Sequence, residues 1–100
     1  MAGPSGKPNP SAAPGLRLDK WLWHARFIRH RQLAEALVAE RRVRLNEQVV
    51  GKTHQLVRLG DVITLTEPAR VRVVRVRALG ERRGPATEAI LLYEELAKLE

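Results

Sequence analysis

Five basic side chains fall within fifteen residues of the sequence, and three aromatic side chains lie among them. The basic residues are Arg17, Lys20, Arg26, Arg29 and Arg31, and the aromatic residues are Trp21, Trp23 and Phe27. Guanidinium and ammonium groups bind phosphates, while aromatic rings stack on unpaired bases. This combination is the chemistry of nucleic-acid binding, and RNA is the nucleic acid that most often presents unpaired bases.

Trp23 has two interpretations. On a helix that starts at Leu18, the side chains of Trp21, Leu22 and Ala25 cluster on one face, and Trp23 lies off that face. Trp23 either stacks on a base or is covered by another element of the fold. We favour coverage, with the apolar stripe of a predicted C-terminal helix as the covering element.

Residues suited to catalysis or metal binding are scarce. Cysteine is absent, and the only aspartates, Asp19 and Asp61, have structural interpretations as a helix cap and a turn residue. The histidines, His24, His30 and His54, show no metal-ligand or catalytic-triad spacing. We therefore predict a protein that is not an enzyme and that uses no metal, cofactor or small-molecule substrate.

The charge of the chain indicates a polyanionic partner. Its 18 Lys and Arg against 11 Asp and Glu give a formal net charge of +7. Residues 17–58 hold ten basic and four acidic side chains, whereas residues 85–100 hold one basic and four acidic side chains. This polarity favours a localised binding face.

The length and the apolar content set further expectations. One hundred residues predict one domain, which we expect to be a monomer. No apolar run approaches the roughly 20 residues that span a bilayer, and no signal-peptide pattern opens the chain. We expect a cytoplasmic protein without a membrane partner.

The first half of the chain has helical periodicity after a lead that lacks it. Residues 1–15 are rich in proline and glycine and are predicted to be disordered. Helices are predicted over about 19–27 and 31–41, the first capped by Asp19. In the second, Arg31 stands four residues before Glu35, the spacing of a helical ion pair.

After residue 42 the period changes to two, which predicts strands. Two short strands should flank a turn at Asn46-Glu47, and further strands are predicted over 62–66 and 70–77. In the last, the alternation slips at Val73-Val74, so we predict a bulge that returns its four valines to one face. Its arginines, Arg70, Arg72, Arg75 and Arg77, would then point outward, either as a second contact area or as protection of a sheet edge.

These elements predict an α+β fold. Two packed N-terminal helices should lie against a small, twisted, mostly antiparallel sheet, with a C-terminal helix from Pro85 onward. The predicted division is a lead over 1–15, an RNA-binding domain over 16–80 and a mainly helical extension over 81–100.

The segment RLDKWLWHARFIRHRQLAEALVAERRVRLN, with Lys52 and Gly60-Asp61 after it, resembles the S4-type RNA-binding domain over roughly residues 16–66. The later string RRGPATEA, which runs on to LLYEE, resembles the tail of the heat-shock protein 15 branch of that family. The resemblance implies that RNA lies across the helix pair and the adjoining strand loop. The contact candidates that it implies are Arg17, Lys20, Arg26, Arg31, Gln32, Asn46 and Lys52, to which the basic cluster adds Arg29.

The resemblance also implies a biological role. Members of that branch bind ribosomal RNA on the large ribosomal subunit, and they are implicated in handling stalled subunits that carry a nascent chain on transfer RNA. A heat-shock or ribosome quality-control role is therefore expected.

The sequence departs from the family pattern at three places. His30 stands where many members have serine or threonine, and Glu47 stands where a glycine usually follows the asparagine. Arg41 or Arg42 stands where a glycine usually precedes the first strand. The long basic tail of some members does not follow Glu100 in this sequence, so we expect weaker non-specific affinity.

Two other functions remain open from the sequence. S4-type modules are often appended to RNA-modifying enzymes, so the chain could be an accessory domain that recruits RNA. Two close basic helices also suit the major groove of DNA.

Overall fold

The computed structural model describes residues 14–99, so the predicted disordered lead lies, except for its last two residues, outside the described residues. The helices are α1 (Leu18–His24), α2 (Leu33–Ala39) and α3 (Ala86–Ala89), and a 3-10 turn, Ile90–Leu92, continues α3. The strands are β1 (Leu16–Arg17), β2 (Val43–Leu45), β3 (Gln48–Val49), β4 (Leu56–Val57), β5 (Val62–Thr66), β6 (Val71–Val76) and β7 (Tyr93–Leu99).

All strand pairs are antiparallel. Strands β3-β2-β5-β6-β7 form one sheet in that order, and β1 pairs with β4 in a two-stranded ribbon. The α+β fold predicted from the sequence, with two helices against a mostly antiparallel sheet and a C-terminal helix, is confirmed.

Helices α1 and α2 are shorter than predicted because the chain turns left-handed directly after each of them. Arg26 has φ 63° and Arg41 has φ 59°. At each end a backbone N–H reaches back five residues, from Phe27 to the Leu22 carbonyl and from Arg42 to the Leu37 carbonyl, both at 2.9 Å. This pattern is the Schellman motif, which usually has glycine at the left-handed position.

The core lies between α1 and one face of the large sheet. Trp21, Leu18 and Leu22 from α1 are fully buried against Ile63 of β5 and Val74 of β6. The Trp21 indole N–H also donates a 2.9 Å hydrogen bond to the Ala78 carbonyl, which joins α1 to the chain after β6. Helix α2 contributes less, since Ala34 is its one buried residue.

The predicted C-terminal extension over 81–100 is not mainly helical. Its helical part ends with the 3-10 turn at Leu92, and Tyr93–Leu99 forms strand β7 along β6. Arg72 on β6 donates two hydrogen bonds, of 3.0 and 2.7 Å, to the Glu95 carboxylate. That pairing lowers the pKa of Glu95 and raises the pKa of Arg72 from their usual values. The spacing of Leu92 and Leu96 fits a helix, but strand pairing with β6 determines the structure of this segment instead.

The predicted irregularity at Val73 and Val74 is present, but its effect on β6 was predicted wrongly. The register with β7 shifts between these two residues, and the extra residue, Leu96, lies on β7. Because β6 pairs regularly with β5, its alternation continues and its valines divide between the two faces. Arg72 consequently lies on the core side, with its guanidinium 4.8 Å from the Phe27 ring centroid.

For Arg70, Arg72, Arg75 and Arg77, the interpretation as protection of a sheet edge is wrong, and the interpretation as a second contact area stays a prediction. Strand β6 is internal to the sheet, so it has no edge to protect. Each arginine instead pairs with a carboxylate of the chain. The pairs are Arg70 with Glu67, Arg72 with Glu95, and both Arg75 and Arg77 with Glu94.

Two family glycine positions are occupied here by residues in left-handed conformations, and this predicts a gain in stability on restoring glycine. Asn46 and Glu47 form the β2–β3 turn with φ 51° and 75°, as a two-residue hairpin turn requires. Left-handed backbone is costly for residues with a Cβ but not for glycine. Arg41→Gly and Glu47→Gly should each raise the free energy of unfolding by about 0.5–1 kcal/mol, measured by urea denaturation.

The matched control is Arg44→Gly, because Arg44 lies within β2 in an extended conformation. Glycine there should lower the stability. If Arg41→Gly and Glu47→Gly lowered it as well, the left-handed geometry at these positions would be wrong.

Candidate RNA-binding surface

Asp19 is the centre of the basic cluster. It lies in the first turn of α1 and is 7% exposed. Arg17 donates two hydrogen bonds to its carboxylate, at 3.2 and 2.9 Å, and Arg31 approaches the same carboxylate at 3.4 Å. The carboxylate thus holds two arginines from different elements side by side.

Asp19 is therefore not the helix cap that the sequence predicted. The cap position of α1 is Arg17, and no side-chain hydrogen bond caps the helix. The predicted pairing of Arg31 with Glu35 is also not formed, since Arg31 pairs with Asp19 instead. A local spacing rule selected Glu35, whereas the fold brings Asp19 close from twelve residues away.

The paired arginines remain available to a ligand. The Arg17 side chain is 51% exposed and that of Arg31 is 41% exposed, while the Asp19 side chain is 10% exposed. A bidentate carboxylate fixes the plane of a guanidinium and leaves its other N–H groups free to donate. The arrangement can present two oriented cations to neighbouring phosphates.

Lys20, Gln32 and Lys52 lie in the segments that meet at this pair. Lys20 follows Asp19 on α1 and is half-buried, and Gln32 is exposed at the start of α2. Lys52 is exposed in the loop that abuts α1, where the Asp19 N–H donates to the Thr53 carbonyl at 3.2 Å. Within residues 14–99, neither lysine forms an ion pair.

The other predicted contact residues are placed differently. Arg26 is exposed at the end of α1, and its Nε donates to the Gly84 carbonyl at 2.7 Å. Arg29 is exposed in the connection between α1 and α2. The Asn46 amide joins the β2–β3 turn to the start of β5: it donates a hydrogen bond of 3.1 Å to the Asp61 carboxylate and accepts one of 2.9 Å from the Val62 N–H. The structure does not join Asn46 to the arginine pair by any contact.

A shallow depression of about 470 Å³ lies beside the arginine pair, between α1 and the start of α2. Its lining residues are Asp19, Trp23, His30, Arg31, Gln32 and Glu35. Trp23 is partly exposed there, and the Arg83 guanidinium lies 5.9 Å from its ring centroid. Trp23 is therefore covered in part by Arg83, which lies in the loop before α3.

Sequence reasoning missed two members of this surface, Asp19 as the organiser and Glu35 as a lining residue. The signal for Asp19 was its position two residues after one arginine within a basic cluster. No local signal connected it to Arg31. The signal for Glu35 was its position four residues after Arg31. The spacing rule for helical ion pairs assigned it to a pair with Arg31 and not to a binding surface.

Residues 14–99 contain neither a candidate metal site nor a candidate membrane-spanning helix. No group of three or more His, Cys, Asp or Glu side chains in residues 14–99 is arranged to hold a metal ion. His24 is buried, with Nδ1 3.2 Å from the Leu79 carbonyl oxygen. None of the helices in this range is both long and apolar enough to cross a bilayer.

Comparisons with known proteins agree with this architecture. The S4 domain model matches residues 16–63, the part that holds α1, α2 and the arginine pair. The chain is also similar to a solved structure, the trimeric heat shock protein 15 of Vibrio cholerae. The two superpose with a TM-score of 0.77 and are 37% identical, and the match covers 84% of this chain and 84% of that one. The helix pair, the antiparallel sheet and the S4 match define a protein of the S4-domain class.

Curated relatives give the particular family. Heat shock protein 15 of Escherichia coli is 45% identical over 83 residues, which are 83% of this chain and 62% of that protein. The Aeromonas salmonicida homolog is 40% identical over 89 residues, which are 88% of this chain and 67% of that protein. The chain belongs to the heat shock protein 15 family. It spans slightly less than two thirds of the length of the E. coli relative.

Proposed function

We propose that this protein binds ribosomal RNA of the large ribosomal subunit in the cytoplasm and acts by binding rather than by catalysis. The observation that carries the proposal is the exposed arginine pair that Asp19 holds beside Lys20, Gln32 and Lys52. Phosphate contacts from such a group supply affinity, and its fixed geometry supplies selectivity for folded RNA. Membership of the heat shock protein 15 family supports the ribosomal target.

Binding to separated ribosomal subunits tests the proposal. We expect co-sedimentation with the large subunit in preference to the small one, and a steep loss of binding as salt is raised, because bound phosphates release counterions. Arg17→Ala and Arg31→Ala should each weaken binding about fivefold, which corresponds to about 1 kcal/mol, without unfolding the protein.

The matched control is Arg75→Ala, which removes the same charge from the sheet, where Arg75 lies opposite Glu94 on β7. It should change binding by less than twofold. Equal binding to a ribosomal RNA fragment and to duplex DNA of the same length would contradict the proposal and favour a DNA-binding module.

We further propose that the preferred target is a large subunit that still carries a nascent chain on transfer RNA. This part rests on the family relation. Large subunits with and without peptidyl-transfer RNA should differ in affinity, with tighter binding to the loaded form. The predicted monomeric state is measured by light scattering of the free protein, with the trimer of the V. cholerae structure as the alternative.

A further inference from the structure

We propose that the depression between α1 and α2 accepts one unpaired base of the bound RNA, and that guanine is the preferred base. In this arrangement Trp23 stacks on the base and Glu35 accepts hydrogen bonds from its edge. The inference rests on the proposed RNA-binding function and adds to it the part of the RNA that is read.

The position of Trp23 supports a stacking role. Trp21 and Trp23 lie on the same short helix, but Trp21 is fully buried in the core and Trp23 is partly exposed in the depression. Asp19 and Trp23 are four residues apart and so line the same side of α1. A base that stacked on Trp23 would therefore lie beside the arginines that bind its own phosphates.

The charge of Glu35 indicates which part of the RNA enters. The Asp19 carboxylate is neutralised by two arginines, whereas Glu35 forms no ion pair or side-chain hydrogen bond within the described part of the chain. An exposed, unpaired carboxylate repels phosphate. It excludes the RNA backbone from this end of the depression and favours a group that donates hydrogen bonds.

The chemistry of a carboxylate selects among the bases. An ionised carboxylate only accepts hydrogen bonds, and its two oxygens suit two adjacent donors. Guanine offers such a pair on its Watson–Crick edge, at N1–H and the N2 amino group. Adenine and cytosine offer one amino group beside an acceptor nitrogen, which the carboxylate repels.

RNA hairpins that differ at one bulged position provide the test. The bulge is guanosine, adenosine or an abasic nucleotide, so the phosphate charge is the same in all three. We expect the protein to bind the guanosine hairpin about tenfold more tightly than the abasic one, the size of effect that stacking on one aromatic side chain supplies. Affinity is measured by fluorescence anisotropy of labelled RNA at fixed salt.

Three variants at two positions separate the two roles. Trp23→Ala should remove the difference between guanosine and abasic hairpins, and Trp23→Phe should retain part of that difference. Glu35→Gln should bring guanosine and adenosine to similar affinities. It should also strengthen binding of the abasic hairpin, because it removes a negative charge.

Equal affinity of the unmodified protein for all three hairpins would overturn the inference. So would a Trp23→Ala variant that weakened all three equally while remaining folded by circular dichroism. If Trp23→Ala did not fold, Trp23→Phe and Glu35→Gln would decide the question. None of these results affects the salt-dependent preference for the large subunit, so failure of this inference and failure of the proposed function are distinguishable.

Discussion

Asp19→Ala is expected to weaken RNA binding about tenfold, although it raises the net charge of the chain by one. Simple attraction between a basic protein and RNA predicts the opposite sign. The loss arises because Arg17 and Arg31 are held by this carboxylate, at 2.9 and 3.4 Å, and without it each must be ordered at the moment of binding. Anisotropy titration against a ribosomal RNA fragment measures the effect.

The matched control for Asp19→Ala is Glu40→Ala. Glu40 is also paired with an arginine, Arg42, at 2.6 Å, but its side chain is 57% exposed and that arginine is not a predicted contact. Removal of Glu40 should leave the affinity unchanged or raise it slightly. If the two variants bound RNA alike, Asp19 would have no organising role. Urea denaturation of both variants shows whether any loss of binding reflects unfolding.

Trp21→Ala is expected to give the largest loss of stability of any single substitution proposed here, about 3–5 kcal/mol. Trp21 is fully buried, lies 5.8 Å from the Phe27 ring between centroids, and donates its indole N–H to the Ala78 carbonyl. Its loss would leave a cavity and an unpaired acceptor. Because small domains are stable by only about 5–15 kcal/mol, the variant should be substantially unfolded at elevated temperature.

Trp23→Ala is the control for Trp21→Ala, since it removes the same side chain from the same helix. Trp23 is partly exposed and makes no side-chain hydrogen bond within residues 14–99, so its loss should cost less than half as much. Urea denaturation compares the two variants directly. Equal losses would mean that the core does not centre on Trp21.

Much of the fold could be predicted because its signals are local. Strand β5 occupies the predicted range, 62–66, and the turn at Asn46-Glu47 lies where the alternation breaks. The helix ends could not be read in the same way. The left-handed residue that follows each of α1 and α2 is an arginine, Arg26 or Arg41, and no sequence rule for left-handed positions selects arginine.

The features that were missed depend on contacts between distant parts of the chain. The spacing of Leu92, Tyr93 and Leu96 fits a helix, but Tyr93 and Leu96 lie in β7, where the pairing of Arg72 with Glu95 helps to hold the strand. At the surface, most contact candidates were basic and therefore visible in composition. The organising role of Asp19 was not, because it requires Arg31 from the connection between α1 and α2.

The pairing of β6 with β7 has a consequence for the newborn protein. The ribosome makes β6 before β7. For a time, therefore, Arg72, Arg75 and Arg77 have been synthesised while their partners Glu94 and Glu95 have not. During that interval the nascent polypeptide carries extra unshielded cations next to ribosomal RNA. Pairing of β7 with β6 places Glu94 and Glu95 beside these arginines, which leaves the helix pair as the proposed surface for RNA.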